Sequence, residues 1–183
     1  MSVIRSEQLV AKSIFLRLAQ PEDAAFIHAL RVDEHYNQFL SSVTGGAAEQ
    51  RAWLEKYKAR EQSGQEYYFI ICRKDDASPI GTVRLYDFIA EKNSFCWGSW
   101  ILNANKTASA ALESALLVYK LAFLELGFER AHFDVRKGNS KVIDFHRKFG
   151  AVEVGQTADD ILFNYEKTAC LPVMEQYKKY LVA

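Results

Sequence analysis

Between Tyr67 and Leu102 the chain carries three apolar runs separated by only a handful of turn residues, and that spacing dictates how the middle of the molecule folds. Tyr67-Tyr68-Phe69-Ile70-Ile71-Cys72 is apolar at every position, the pattern of a strand covered on both faces. The polar segment Arg73 to Ser78 reads as a hairpin turn, and Pro79 to Phe88 returns as the next strand. Glu91-Lys92-Asn93 turns the chain again, and Ser94 to Leu102 forms a third strand. Three strands in succession with short connections predict an antiparallel meander.

The period of the pattern then changes. Ala111, Leu112, Ala115, Leu116, Tyr119, Ala122, Phe123 and Leu126 recur at helical spacing, and Gly127 closes the run. Ala131 to Val135 reads as a buried strand. Asn139 is placed to cap a helix bearing Val142, Ile143, Phe145 and Phe149, which Gly150 terminates. Val152 to Val154 and Ile161 to Tyr165 are two last strands, and Leu171 to Leu181 reads as a terminal helix opened by Pro172 at its first position. Upstream of the meander, Ser13 to Leu18 is a short strand. Pro21 opens a helix with Ala24, Ile27 and Leu30 on its apolar face, and a second helix follows the Gly45-Gly46 loop to about Glu61. The sum is an α/β chain: a meander, then strand–helix–strand–helix, then a hairpin.

With 183 residues, 49% of them hydrophobic, the chain has material for one large core, and residues 1–183 read as a single domain. Lys and Arg number 23 and so do Asp and Glu, which argues against broad electrostatic binding to nucleic acid. Cys72, Cys96 and Cys170 are too scattered for a disulfide framework or a zinc site, so no metal is expected. The first residues lack the apolar core of a signal peptide, and the greasy stretch from Ala110 to Phe128 is interrupted by Glu113, Lys120 and Glu125. A cytoplasmic protein without membrane contact is the expectation.

The chemistry concentrates between Trp100 and Gly150. The strand residues Trp100-Ile101-Leu102 lead through a loop directly into the long helix, whose unpaired N–H groups and positive dipole end make a ready anion site. Lys106 is the only full charge in that loop. Thr107, Ala108, Ser109, Ala110 and Ala111 are all small enough for a ligand to approach the main chain. By spacing alone, an ordinary capped strand–helix connection explains the loop as well.

The ordered set of motifs resembles the GCN5-related N-acetyltransferase (GNAT) family. Lys106-Thr107-Ala108-Ser109-Ala110-Ala111 stands where that family carries its pyrophosphate loop, Gln/Arg-x-x-Gly-x-Gly/Ala. Ala122-Phe123 and Leu126-Gly127, Val135-Arg136-Lys137-Gly138-Asn139, and Phe145-His146-Arg147-Lys148-Phe149-Gly150-Ala151 follow in the family's order. Phe15-Leu16-Arg17, Glu22-Asp23-Ala24 and Ile80-Gly81 match its opening elements, so the likeness runs from Ser13 to Tyr165. It implies a mixed, mostly antiparallel twisted sheet of about seven strands flanked by helices, in which two neighbouring parallel strands splay apart. Acetyl-CoA would lie in the gap on the main chain of Trp100, Ile101 and Leu102, with its pyrophosphate on Lys106 to Ala111 and a polar contact from Asn139.

The departures fall on the acid–base positions. The Tyr that often serves as general acid is His146 here, and a Glu found before the loop is Cys96. His146, which titrates near neutral pH, is the candidate acid. Asp134, with Asp87 behind it, is the candidate base. Cys96 has no neighbouring cation in sequence to activate it as a nucleophile. On the acceptor side, Arg31, Trp53, Arg84 and Tyr86, with His35, Tyr36 and Gln50, offer polar and aromatic groups suited to a sugar or nucleotide. The resemblance implies transfer of an acetyl group to a primary amine, with an amino sugar or sugar nucleotide as the acceptor. A protein N-terminus is the alternative acceptor, and a non-catalytic acyl-CoA-binding module the alternative to an enzyme. A homodimer is compatible with the aromatic-rich composition.

Overall fold

The computed structural model describes residue 4 and residues 9–181. In chain order the strands are β1 (Ile14–Leu18), β2 (Tyr67–Arg73), β3 (Pro79–Ile89), β4 (Ser94–Leu102), β5 (Arg130–Arg136), β6 (Val152–Gln156) and β7 (Asp160–Glu166). The helices are α1 (Ala24–Val32), α2 (Ala47–Gln62), α3 (Ala110–Tyr119), α4 (Ser140–Phe149) and α5 (Lys167–Gln176). The seven strands make one sheet in the order β1-β2-β3-β4-β5-β7-β6. Every pairing is antiparallel except β4 with β5, so the meander and the mixed sheet read from the sequence are both present.

The reason β2 is apolar throughout is its central position between two cores. Phe69 and Ile71 face a large cluster shared with α3, α4 and α5, while Tyr68, Ile70 and Cys72 face a smaller one under α1 and α2. The period of two thus distributes one run of six apolar residues between two layers of helices. Tyr57 fastens α2 to this strand: its hydroxyl accepts the Tyr68 N–H at 2.6 Å in a fully buried position.

Several boundaries differ from the sequence reading. Pro21 opens a single 3-10 turn, Pro21–Asp23, that runs into α1. The long central helix changes pitch after Tyr119 and continues as a π-helix over Lys120–Glu125, with Leu126 N–H reaching back five residues to Leu121 O. Gly127 then follows at φ +81°. Asn139 holds the N-cap position of α4, but its side chain makes no capping bond. The terminal helix starts at Lys167, four residues before the predicted start, so Pro172 lies inside it. It begins early because Lys167 N–H is held by Glu129 O at 2.9 Å as the chain leaves β7. It gives way to a 3-10 turn at Lys178–Tyr180. No described helix is long and apolar enough to cross a membrane.

Candidate functional site

The parallel pair β4–β5 touches only at its root. Ser94 faces Arg130 and Phe95 faces Ala131, and there the ladder ends although β4 runs on to Leu102 and β5 to Arg136. From Cys96 onward the β5-facing edge of β4 has no strand partner. Unpaired main-chain donors and acceptors along such an edge demand a partner that can act as a strand does.

A brace closes the root. His132 on β5 joins Ser94 Oγ through Nδ1 at 2.6 Å and Asp87 Oδ2 through Nε2 at 2.9 Å. Asp87 sits at φ +50°, in a register shift of β3 that swings it toward β5. The order Ser–His–Asp does not make a hydrolase, because Ser94 is completely buried and no substrate reaches it.

A second register shift shapes the open end. Thr82 pairs with Ile101 and Arg84 with Gly98, so β4 carries one extra residue around Ser99 and Trp100. Ser99 takes φ +48° and its carbonyl accepts the Thr82 hydroxyl at 2.7 Å. Gly81 makes this approach possible: a Cβ there would lie 2.1 Å from Ile101 O. A non-glycine residue in the left-handed region stores about 1–3 kcal/mol of strain, which concentrates at sites where main chain must be aimed.

Three cavities meet along this gap. The first, about 270 Å³, lies between the splayed strands and is lined by Trp97, Gly98, Ser99 and Trp100 from β4, Phe133 and Asp134 from β5, and His146 and Val142 from α4, with Arg31 and Tyr86. The second, about 560 Å³, continues past Trp100, Ile101 and Leu102 to Lys106 and Ala111, with Asn139, Ser140 and Phe145 opposite. The third, about 340 Å³, opens on the other side of Ser99 and includes Arg31, Gln50, Trp53, Tyr68 and Arg84.

The residues expected to hold acyl-CoA therefore come together in two ways. Trp100, Ile101, Leu102, Lys106, Ala111 and Asn139 line the second cavity. Thr107, Ala108, Ser109 and Ala110 do not line it; Ala110 is fully buried, leaving the main chain as the part that can serve. Lys106 N–H is taken by Asn103 O and Ala110 N–H by Thr107 O. Among the described residues, the amides of Thr107, Ala108, Ser109 and Ala111 meet no acceptor. The Ser109 side chain would ordinarily cap α3, but its hydroxyl is drawn to Glu113 Oε1 at 2.5 Å. The helix thus presents bare N–H groups beside Lys106, which fits a pyrophosphate without the family's glycines.

Glu113 is the residue that sequence reasoning treated only as an interruption of an apolar run. It is completely buried and accepts the N–H groups of Ser13 and Ile14 at 2.9 and 3.1 Å and the hydroxyls of Ser13 and Ser109. Ser13 Oγ in turn meets Thr107 Oγ1 at 2.6 Å. One carboxylate therefore ties the start of β1 to the helix end of the loop. No local pattern announces it, since its main-chain partners are 99 and 100 residues away.

His146 and Asp134 share the first cavity. The His146 ring is packed against Trp97, Phe133, Phe145 and Phe163, and its Nδ1 has no partner. Burial drives its pKa down to about 3. At neutral pH that holds the ring in its uncharged form. Asp134 is exposed on β5, and partial burial, then the nearby Asp160, raise its pKa. Burial also pushes the Cys96 thiol up to about 12, so it stays protonated and unreactive.

The acceptor-side residues are less free than expected. Trp53 is stacked on Tyr57 at 5.8 Å, with the guanidinium groups of Arg60 and Arg84 at 5.2 and 5.1 Å from its ring. Both arginines are paired with the buried Glu66. Arg31 lines the first and third cavities, and Tyr86 lines the first. His35 and Tyr36, placed with the acceptor by sequence, lie instead on the second cavity, where Tyr36 Oη accepts the Ala104 N–H. Phe39, on the wall of the first and second cavities, and Tyr68, on that of the third, carried no signal in the sequence that could have placed them there.

Comparison with known proteins bears on this arrangement. The apo structure of FdhC, described as a nucleotide-linked sugar GNAT, matches with a TM-score of 0.90 at 49% identity, covering 96% of this chain and 98% of that one. Spermidine N-acetyltransferase from Vibrio cholerae, in complex with CoA and spermine, shares the fold at a TM-score of 0.74 and 18% identity, over 86% of this chain and 98% of that one. An uncharacterized N-acetyltransferase, YokL, derived from the SPbeta prophage of Bacillus subtilis (strain 168), is 24% identical over 145 residues, 79% of each chain. Residues 13–152 match the family model of the acetyltransferase (GNAT) domain, a span that contains β1 through α4 and with them the splayed edge and the bare helix end. A wedge open along β4 is what a thioester carrier needs, and with that match the chain belongs to the GNAT superfamily of acyl-CoA-dependent N-acetyltransferases.

Proposed function

We propose that this chain transfers an acetyl group from acetyl-CoA to the primary amine of an amino sugar carried on a nucleotide. The observation that supports the acceptor class is the near-complete likeness to FdhC, a nucleotide-linked sugar GNAT. Acetyl-CoA would supply the activated acyl carbon. The open edge of β4 would receive its pantetheine arm in place of a strand, and the amides of Thr107, Ala108, Ser109 and Ala111 with Lys106 would take the diphosphate.

Asp134 acts as the base. Partial burial, and then Asp160, raise its pKa and so make it a stronger base than a free carboxylate, and it stands on the wall of the cavity between the strands. It would take the proton that the ammonium must lose before nitrogen attacks the thioester carbon; as that C–N bond forms, the C–S bond would break and CoA would leave as a thiolate that is protonated from solvent. His146 works as a neutral ring, offering a hydrogen-bonding nitrogen in an otherwise aromatic wall. A main-chain N–H of β4 beside its extra residue would meet the oxygen charge that develops as the acyl carbon is attacked.

The test is Asp134→Asn assayed by CoA thiol release with amino-sugar nucleotides and, as a control panel, free amino sugars, polyamines and peptides. We expect kcat/KM for the acceptor to fall by about 100-fold or more, with CoA binding by calorimetry held within about twofold. Equal turnover of wild type and variant removes Asp134 from the mechanism. Turnover of only peptides or polyamines overturns the acceptor class.

A further inference from the structure

The third cavity is walled by a hydroxyl that completes no hydrogen bond. Tyr68 is 1% exposed, lines that cavity, and its Oη has no partner at hydrogen-bonding geometry, although Thr82 and Arg31 lie beside it. The Thr82 hydroxyl is turned to Ser99 O, to which it donates. A buried unpaired hydroxyl destabilises the free protein, so a fold that keeps one at a cavity wall keeps it for something that enters.

A second donor stands beside it. Arg31 lines the same cavity, and its Nε is buried without a partner although Nη2 is engaged with Ser41. The other cation, Arg84, is already committed to Glu66. Glu49, the one carboxylate among the lining residues, is turned to the Gly46 N–H at 2.7 Å. Its charge is thus spent on the start of α2. The unmet groups are a cationic N–H and a phenol O–H, and what satisfies both is a ligand that offers only acceptor oxygens and negative charge.

The cavity's position supplies the ligand's identity. Arg31 and Ser99 belong to the wall of this cavity and also to that of the gap between β4 and β5. A molecule with its amine in the gap would extend past Ser99 toward Tyr68. We propose that Tyr68 and Arg31 form the subsite for the diphosphate of the nucleotide-linked acceptor, separate from the bare end of α3 that serves the acyl donor. This rests on the sugar-nucleotide reading above and deepens it.

The experiment is calorimetric titration of UDP and dTDP into the full chain and into its Tyr68→Phe and Arg31→Gln forms, with unliganded melting temperatures recorded alongside. Wild type should bind a nucleoside diphosphate, and Tyr68→Phe should weaken it by about tenfold, the cost of one hydrogen bond to a charged group. The same variant should melt at a higher temperature without ligand, because it removes an unpaired buried hydroxyl. A hydroxyl with a purely structural role gives the opposite shift, and a lowered melting temperature overturns the proposal. Undiminished binding by both variants places the diphosphate elsewhere and leaves the acceptor class standing. If neither nucleotide binds any form, and no nucleotide-linked amino sugar is acetylated, the subsite and the acceptor class fall together.

Discussion

Replacing Glu113 separates two ways of explaining a buried carboxylate. Its Oε2 accepts two main-chain N–H groups, Ser13 and Ile14, and its Oε1 accepts two hydroxyls, Ser13 and Ser109. Glu113→Ala leaves two amides without an acceptor, that of Ile14 in a fully buried position. At about 1–3 kcal/mol for each unsatisfied group, offset by relief of a desolvated charge, the net loss is about 3–5 kcal/mol. For a chain of this size that lowers the melting temperature by about 6–20 °C. Glu113→Gln should behave differently. Its amide oxygen can keep both N–H bonds, while its NH2 turns to the two hydroxyls, which can reverse and accept. The loss should then be about 1 kcal/mol, the difference between charged and neutral acceptors. Urea denaturation of the three proteins reads the stabilities. Titration with CoA reads the loop, since Ser109 and Thr107 are released only in the Ala form, and its affinity should fall further than that of the Gln form. Ala and Gln equally damaging would mean that the charge, not the bonding pattern, matters. An Ala variant within 1 kcal/mol of wild type would show that the network holds nothing.

His146 makes the protein acid-sensitive in a calculable window. Its pKa is lowered from 6.5 to about 3, so the unfolded chain takes up a proton near pH 6.5 that the native state refuses until about pH 3. Stability should therefore be unaffected above pH 6.5 and fall by about 1.4 kcal/mol per pH unit below it; His146→Phe should flatten that slope in denaturation curves from pH 7 to 4, and an unchanged slope would refute the assignment. Gly81→Ala places a Cβ 2.1 Å from Ile101 O, so β4 must move. KM for acyl-CoA should rise at least severalfold, and a crystal structure should show Ile101 displaced. An unchanged KM would mean that the bulge is not part of the donor site. The acid limb of the kcat/KM profile should follow Asp134 and lie above the usual carboxylate range, in keeping with the direction of its shift. A limb inside the usual range assigns the base to another group.

What could be read from the residues follows the range over which the forces act. The fully apolar run Tyr67 to Cys72 announced a central strand because alternation between two cores is a local, period-two property. Gly150 announced the end of α4 because φ +106° is a requirement of one residue. The run from β4 into α3 was legible for the same reason, since a strand leading into a helix that opens on small residues is contiguous in sequence. Pro172 misled because its missing N–H is tolerated within α5, where the sequence argument placed it at the first turn. The charge state of His146 was out of reach because it is set by rings from β4, β5, α4 and β7 that meet only in the fold. Trp53 looked like a platform for a ligand, but Arg60, Arg84 and Glu66 occupy its surroundings, an arrangement that no spacing rule contains.

The brace at Asp87, His132 and Ser94 turns the sheet into a pair of plates joined along one short seam, β1 to β4 on one side and β5, β7 and β6 on the other. From Phe95 to Leu102 the free lip of the first plate is about 23 Å long, at 3.3 Å per residue, so a rotation of about 5° at the seam shifts its tip by about 2 Å. Leverage of that kind means the aperture's width is governed farthest from where it is measured. Changes at three polar side chains of the seam would tune how tightly the jaws close on their cargo.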